Sequence, residues 1–263
     1  MSAVQPRSIW SSPTRPEDLQ PFRLQGGTRA CLLLHGFAGT PPEVRELGEH
    51  LAAHGYDVLA PVLAGHGQTP EAMRATRWTD WAASAQAALH TLLAEREEVF
   101  VGGQSLGGSL ALHLAARERR VRGVVSLAAM GSKRFFRDPR LRVIGLLKHV
   151  VPWQILDGSC DLGDPSRLLA LHSYARRPTA ALESLVRFLD VLERELPEVT
   201  APALVVHGRR DQTVPVENAP FIRDHLGSQD ATLRWLERSG HAVTVDLERA
   251  ELNALILEWL DRH

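Results

Sequence analysis

The sequence predicts an α/β fold, with a mostly parallel central sheet, helices on both faces, and a small helical cap inserted in the core. Three observations predict it. Short apolar runs alternate with amphipathic helical patterns along most of the chain, as βαβ units require. The runs are continuously apolar, as strands buried on both faces are. The alternation breaks once, between residues 131 and 197, where no strand is evident and two or three helices are expected. A chain of 263 residues, 44% hydrophobic and 23% charged, has a globular composition and excludes collagen-like, coiled-coil and disordered classes.

Residues 1–28 form an N-terminal segment with room for one or two edge strands. Residues 30–34 read as a buried strand and 42–54 as a helix with Val44, Leu47 and Leu51 on one face. A strand at 56–60 precedes a helix at 78–95 that aligns Trp81, Ala85, Ala88, Leu89 and Leu92. Then come a strand at 99–104, a helix at 106–117 and a strand at 121–128. In the cap, 131–197, residues 140–151 are one helical candidate. Residues 178–195 are a second, with Leu182, Leu185, Val186, Leu189 and Leu192 at helical spacing and Pro178 near the first turn. Strands at 203–207 and 232–236 and helices at 216–226 and 247–260 complete the core, made of 29–130 and 198–263. An insertion after one strand of a parallel sheet lies at the ligand-binding edge, beyond the carboxyl ends of the strands.

Thirty basic and thirty-one acidic side chains leave a net charge of −1, which argues against a nucleic-acid partner. Two cysteines, Cys31 and Cys160, make no disulfide framework, and Cys31 within its apolar run reads as a buried thiol. A cytoplasmic location is expected, since residues 1–21 carry no apolar signal core. No apolar stretch is long enough for an integral membrane span.

Gly103-Gln104-Ser105-Leu106-Gly107 follows a strand and opens a helix, the setting that a G-x-S-x-G nucleophile turn needs. A serine in that tight turn presents its hydroxyl, and glycines two residues to either side avoid a clash. The plain alternative is a glycine-rich helix entry without chemistry. Against it stand two further loops at the same sheet edge. Asp211 follows the strand at 203–207, and His241 follows the strand at 232–236. Together they give the order nucleophile, acid, base. The N–H of Leu106 and that of Phe37, in the loop His35-Gly36-Phe37-Ala38-Gly39, are the expected oxyanion donors.

His35-Gly36-Phe37, Gly65-His66-Gly67, Gly103 to Gly108, Gly208 to Asp211 and Gly240-His241 together resemble an α/β-hydrolase, and within it the small bacterial carboxylesterases and monoacylglycerol lipases. The resemblance runs from about residue 29 to the end of the chain. It implies Ser105 as nucleophile, His241 as base, Asp211 as orienting acid, and Phe37 and Leu106 as oxyanion donors. It implies cleavage of a small-molecule ester, with short- to medium-chain acyl esters or monoacylglycerols as substrates. Thioesterase, amidase and acyltransferase chemistry on the same three residues are alternatives. So is a non-catalytic sensor of this fold, which a fluorophosphonate probe would fail to label.

Apolar cap residues suggest a hydrophobic substrate pocket formed by Phe37, Phe135, Phe136, Leu147 and Trp153, with Leu146, Val150, Val151, Ile155 and Leu156 nearby. The basic stretch beginning at Lys133-Arg134 has two readings, a solvated cap face or a weak contact with an anionic membrane surface. His50 and His54 share a helix face, but no third ligand is evident, and no metal or cofactor is implied. His35 is expected to buttress the oxyanion loop, and His66 and His207 to structure loop and core.

Overall fold

The computed structural model of the chain describes residues 19–155, 161–171, 174 and 176–263. Its strands are β1 (Phe22–Leu24), β2 (Arg29–Leu34), β3 (Tyr56–Ala60), β4 (Val99–Gln104), β5 (Val121–Leu127), β6 (Trp153–Ile155), β7 (Arg176–Pro178), β8 (Ala203–Gly208) and β9 (Ala231–Leu236). Seven of them build one sheet in the order β1-β3-β2-β4-β5-β8-β9. Every pairing in it is parallel except that of β1, which runs antiparallel to β3 at the edge. The N-terminal segment thus contributes one edge strand among the described residues.

The central strands are apolar throughout because successive side chains enter two different cores. Along β2, Ala30, Leu32 and Leu34 point to one face, and Cys31 and Leu33 to the other. Along β8, Ala203 and Val205 oppose Leu204 and Val206 in the same way. Helices α1 (Arg45–Ala53) and α8 (Arg249–Arg262) cover one face with Leu47, Leu51, Leu252, Ile256 and Trp259. The other face is covered by α3 (Trp78–Glu95), α4 (Leu106–Arg117), α6 (Thr179–Glu195) and α7 (Asn218–His225). Among the described residues no helix is long and apolar enough to cross a membrane.

Two further helices, α2 (Pro70–Ala75) and α5 (Ile144–Val150), are short. The sequence reading passed over α2. Its N-terminal signals are nevertheless present: Pro70 opens it, and the Thr69 hydroxyl accepts the Ala72 N–H at 3.1 Å. The helix expected at 42–54 begins instead as a 3-10 turn, Pro41–Val44, with both prolines in its first turn, where no intrahelical N–H is required.

The expectation of a cap without strands is corrected. β6 and β7 pair antiparallel as a separate ribbon between α5 and α6. Each is three residues long and half-buried, so neither leaves a periodic signal. The helix foreseen at 178–195 is α6, with Pro178 as its N-cap and Ala181, Leu185, Phe188, Leu189 and Leu192 buried. Its Ser184 hydroxyl accepts the Trp78 N–H at 2.8 Å, and Phe188 stacks on Trp78 with centroids 5.3 Å apart, fixing α6 against α3.

Candidate active site

Ser105 sits between β4 and α4 with φ 56° and ψ −116°, in the positive-φ region where a side chain is strained. The strain is held by close approach on both sides. A methyl group at Gly103 would lie 2.5 Å from the Gly107 carbonyl carbon and 2.6 Å from the Leu34 oxygen. The Ser105 N–H donates to the Leu127 carbonyl at 2.8 Å, so β5 also pins the turn. The first helical bond of α4 runs from the Ser109 N–H to the Ser105 carbonyl, and the Leu106 N–H precedes that ladder at the positive end of the helix.

The loops after β8 and β9 bring Asp211 and His241 to the same edge. His241 Nε2 lies 3.0 Å from Ser105 Oγ, and His241 Nδ1 lies 2.8 Å from Asp211 Oδ2. A carboxylate can only accept, so Nδ1 carries the proton and Nε2 faces the serine hydroxyl as an acceptor. Asp211 Oδ1 accepts the Thr213 and Val214 N–H groups at 2.8 and 2.7 Å. Its Oδ2 also lies 2.9 Å from His207 Nε2. Burial pushes the Asp211 carboxyl up, but the charge and hydrogen bonds of His241 and His207 outweigh it and hold the group well below the usual carboxylate range. Burial depresses the His241 imidazole, yet Asp211, Asp161 and Glu43 together raise its pKa above the ordinary value.

Four more residues meet the site that the sequence reading did not place there. Gln104 Nε2 donates to the His241 carbonyl at 2.7 Å, and Asp161 accepts the His241 N–H at 3.0 Å and the Gln212 N–H at 2.7 Å. Glu43 and Arg177 face the cavity beside the loop Gly36–Gly39. Gln104 lies inside the G-x-S-x-G turn, and Glu43 had a signal in Thr40-x-x-Glu43, the pattern of a helix capping box, whereas Asp161 and Arg177 had none.

The cavity over Ser105 holds about 240 Å³ and is lined by Phe37, Met130, Phe136, Leu171, Leu182, Leu185, Val214 and Ala242 besides the polar groups above. Of the five residues expected to form the pocket, Phe37 and Phe136 line this cavity. Phe135, Leu147 and Trp153 do not line it. Phe135 packs edge-on against Phe221 at 5.4 Å, and the Trp153 ring meets the guanidinium groups of Arg74 and Arg176 at 5.6 and 4.3 Å. Leu147 is half-buried on α5, whose outward face exposes Leu146 and Val150, and Val151 and Ile155 beyond it are exposed as well. The pocket wall comes instead from α6, which a hydrophobicity count over the cap cannot distinguish from α5. Leu156 and Cys160 lie outside the described residues. Of the basic cap start, Lys133 pairs with Asp190, Arg134 with Glu193 and Arg140 with Asp138, which offsets three of its five cations.

His35 ties the loop below Phe37 to the chain after β3. Its Nε2 accepts the Leu63 N–H at 3.1 Å, and its Nδ1–H donates to the Gly36 carbonyl at 3.0 Å. Burial, with His66 beside it, pushes its pKa down to about 3, so it stays neutral. His66 likewise packs against Phe37 and Trp81.

Residues 27–248 match the family described as serine aminopeptidase, S33. A thermostable monoacylglycerol lipase of Bacillus sp. (strain H-257) is 31% identical over 93% of this chain and 95% of its own length. A carboxylesterase of Bacillus subtilis (strain 168) is 29% identical over 92% of this chain and 96% of its own. Among solved structures, one described as a metagenome-derived lipolytic enzyme has a TM-score of 0.87 at 30% identity, covering 93% of this chain and 98% of that one. The Paleococcus ferrophilus monoacylglycerol lipase shares the fold, with a TM-score of 0.76 at 20% identity and coverage of 92% and 98%.

Proposed function

The chain belongs to the serine aminopeptidase S33 family, and from that premise we propose that it hydrolyses carboxylic esters through an acyl-enzyme on Ser105. The observation that carries this reading is the unbroken chain Ser105 Oγ, His241 Nε2, His241 Nδ1, Asp211 Oδ2, with links of 3.0 and 2.8 Å, at the floor of a largely apolar cavity. His241 takes the Ser105 proton as the oxygen attacks the ester carbonyl. The N–H groups of Phe37 and Leu106 hold the oxyanion. His241 then gives the proton to the leaving alcohol, and water repeats the sequence on the acyl group. Asp211 orients the imidazole and stabilises its charged form.

The cavity supports short- to medium-chain acyl groups. About 240 Å³ lies just below the 300–1,000 Å³ typical of drug-sized ligand pockets, in keeping with a short to medium chain. Each methylene buried against Phe136, Leu182 and Leu185 is worth about 0.8 kcal/mol, or close to fourfold in kcat/KM. A cytoplasmic location belongs to the same reading, with which the free, buried thiol of Cys31 is compatible. The test is kcat/KM on p-nitrophenyl esters and monoacylglycerols of two to twelve acyl carbons, with matched p-nitroanilides. We expect a rise from two carbons towards eight, and anilides far slower than esters. A flat or falling ester profile contradicts the apolar pocket, and faster turnover of anilides contradicts ester specificity.

A further inference from the structure

Glu43 is a carboxylate in an unusual place. It stands on the 3-10 turn after the loop Gly36–Gly39, is 8% exposed, and faces the cavity that holds Ser105 and His241. The three residues of the acyl-transfer chain make no use of it. Its Oε2 accepts the Gly36 N–H at 2.9 Å. Its carboxylate also fills the space beside Gly39, where any β-carbon would coincide with it. The loop it braces closes with a turn: the Gly39 N–H donates to the Gly36 carbonyl at 3.1 Å, and Ala38 takes φ 61°, a left-handed conformation unfavourable for alanine. Phe37 lies inside that turn, so the direction of its N–H is set by the two peptides that Glu43 and Gly39 fix.

We propose that Glu43 is a positioning residue of this active site, whose buried carboxylate, by accepting the Gly36 N–H, holds the strained turn that presents the Phe37 N–H to the oxyanion. The inference rests on the reading of Ser105 as nucleophile and Phe37 as donor. Pre-aimed donors are among the largest contributions to acyl transfer, and a turn free to relax aims them less well. Glu43 acts a second time through its charge. The groups facing His241 are Asp211 on Nδ1, Asp161 at its N–H, Ser105 on Nε2 and Glu43 across the cavity, with Arg177 facing Glu43 and His207 sharing Asp211. Burial pushes the Glu43 carboxyl up to about 7, against the pull of Gly36, His241 and Arg177. Its ionised form favours the imidazolium. The competing account is a purely structural cap for the 3-10 turn, since the Glu43 carboxylate also accepts the Thr40 N–H, the glutamate half of a capping box whose Thr40 hydroxyl makes no cap bond.

Glu43→Ala and Glu43→Gln separate the two. The amide oxygen of glutamine still accepts the Gly36 N–H, whereas alanine leaves that donor unpaired. We expect Glu43→Ala to lower kcat at least tenfold with KM within about twofold, and to weaken binding of an alkyl boronic acid, which forms a tetrahedral adduct on the serine, by a similar factor. Glu43→Gln should recover kcat to within about threefold of the parent at the plateau, with the acid limb of kcat/KM moved to lower pH because a negative charge near His241 is gone. The proposal is overturned if Glu43→Ala keeps kcat and boronate affinity within twofold of the parent, or if Glu43→Gln, with an unchanged melting temperature, is no better than alanine. Should the alanine variant fail to fold, Glu43→Leu, which keeps the bulk and removes the acceptor, is judged by the same kcat and boronate criteria. Ser105→Ala in parallel keeps the two claims apart. An active Ser105→Ala overturns the nucleophile, while an inactive Ser105→Ala with a fully active Glu43→Ala overturns only the role of Glu43.

Discussion

The Asp211 carboxylate divides its contacts between two oxygens. One is saturated by the N–H groups of its own loop, and the other is shared by His241 and His207. Because Asp211 stays ionised far below neutrality, the acid side of the rate profile reports His241 alone or coupled to Glu43. The base role proposed for His241 fixes the sign. Protonated His241 accepts no proton, and its neighbours favour the protonated form, so activity falls at a higher pH than for a free imidazole. We expect half-maximal kcat/KM on the acid side above about 6.5, measured between pH 5 and 9. A midpoint below that value contradicts the placement of Asp211, Asp161 and Glu43 around the ring. Asp211→Asn should lower kcat by up to about 10⁴-fold while leaving the fold intact, because the amide stabilises the wrong tautomer. The convergence of Ser105, Asp211 and His241 was legible because each lies in a loop that follows a recognisable strand. Asp161 and Arg177 were not, since one comes from irregular cap chain and the other from the three-residue strand β7, and only tertiary packing brings them to the cavity.

At the scale of elements, the sheet was readable for one reason and the cap was unreadable for another. β2, β4, β5 and β8 are buried on both faces, so the demand for apolar residues is uniform and their limits stand out within a residue or two. In the cap, α5 and α6 both carry apolar side chains, but α6 turns Leu182 and Leu185 to the cavity while α5 leaves Leu146 and Val150 in solvent. Composition does not encode that difference, because it depends on which helix docks on α3. The neighbouring phenylalanines test the assignment. Phe136→Ala should reduce kcat/KM for octanoyl esters several-fold more than for acetyl esters. Phe135→Ala should leave that ratio unchanged, since its ring packs on Phe221 outside the cavity. Equal ratios in both variants would contradict the role of Phe136 as a wall.

For the whole molecule, the sheet separates stability from chemistry. The site lies at the carboxyl ends of the strands, whereas Asp57, fully buried opposite Ala30, sits at their amino ends. It pairs with Arg23 of the edge strand at 2.6 Å and with Arg96, before β4, at 2.8 Å. Asp57→Ala strands a site built for charge, but both arginines are about a quarter exposed and can rehydrate. We expect a loss of about 1–3 kcal/mol in urea unfolding with kcat unchanged. An equal loss of kcat at temperatures where the variant remains folded would show that the two ends of the sheet are coupled.

The central claim is that Ser105, set in a strained turn and facing His241, is the nucleophile. It is tested most directly by incubating the protein with a fluorophosphonate probe and mapping the adduct by peptide mass spectrometry. The account predicts one equivalent of label on the peptide containing Ser105, loss of esterase activity in step with labelling, and no label on Ser105→Ala. A folded, unlabelled parent protein, or label on a different serine with activity lost, would contradict it.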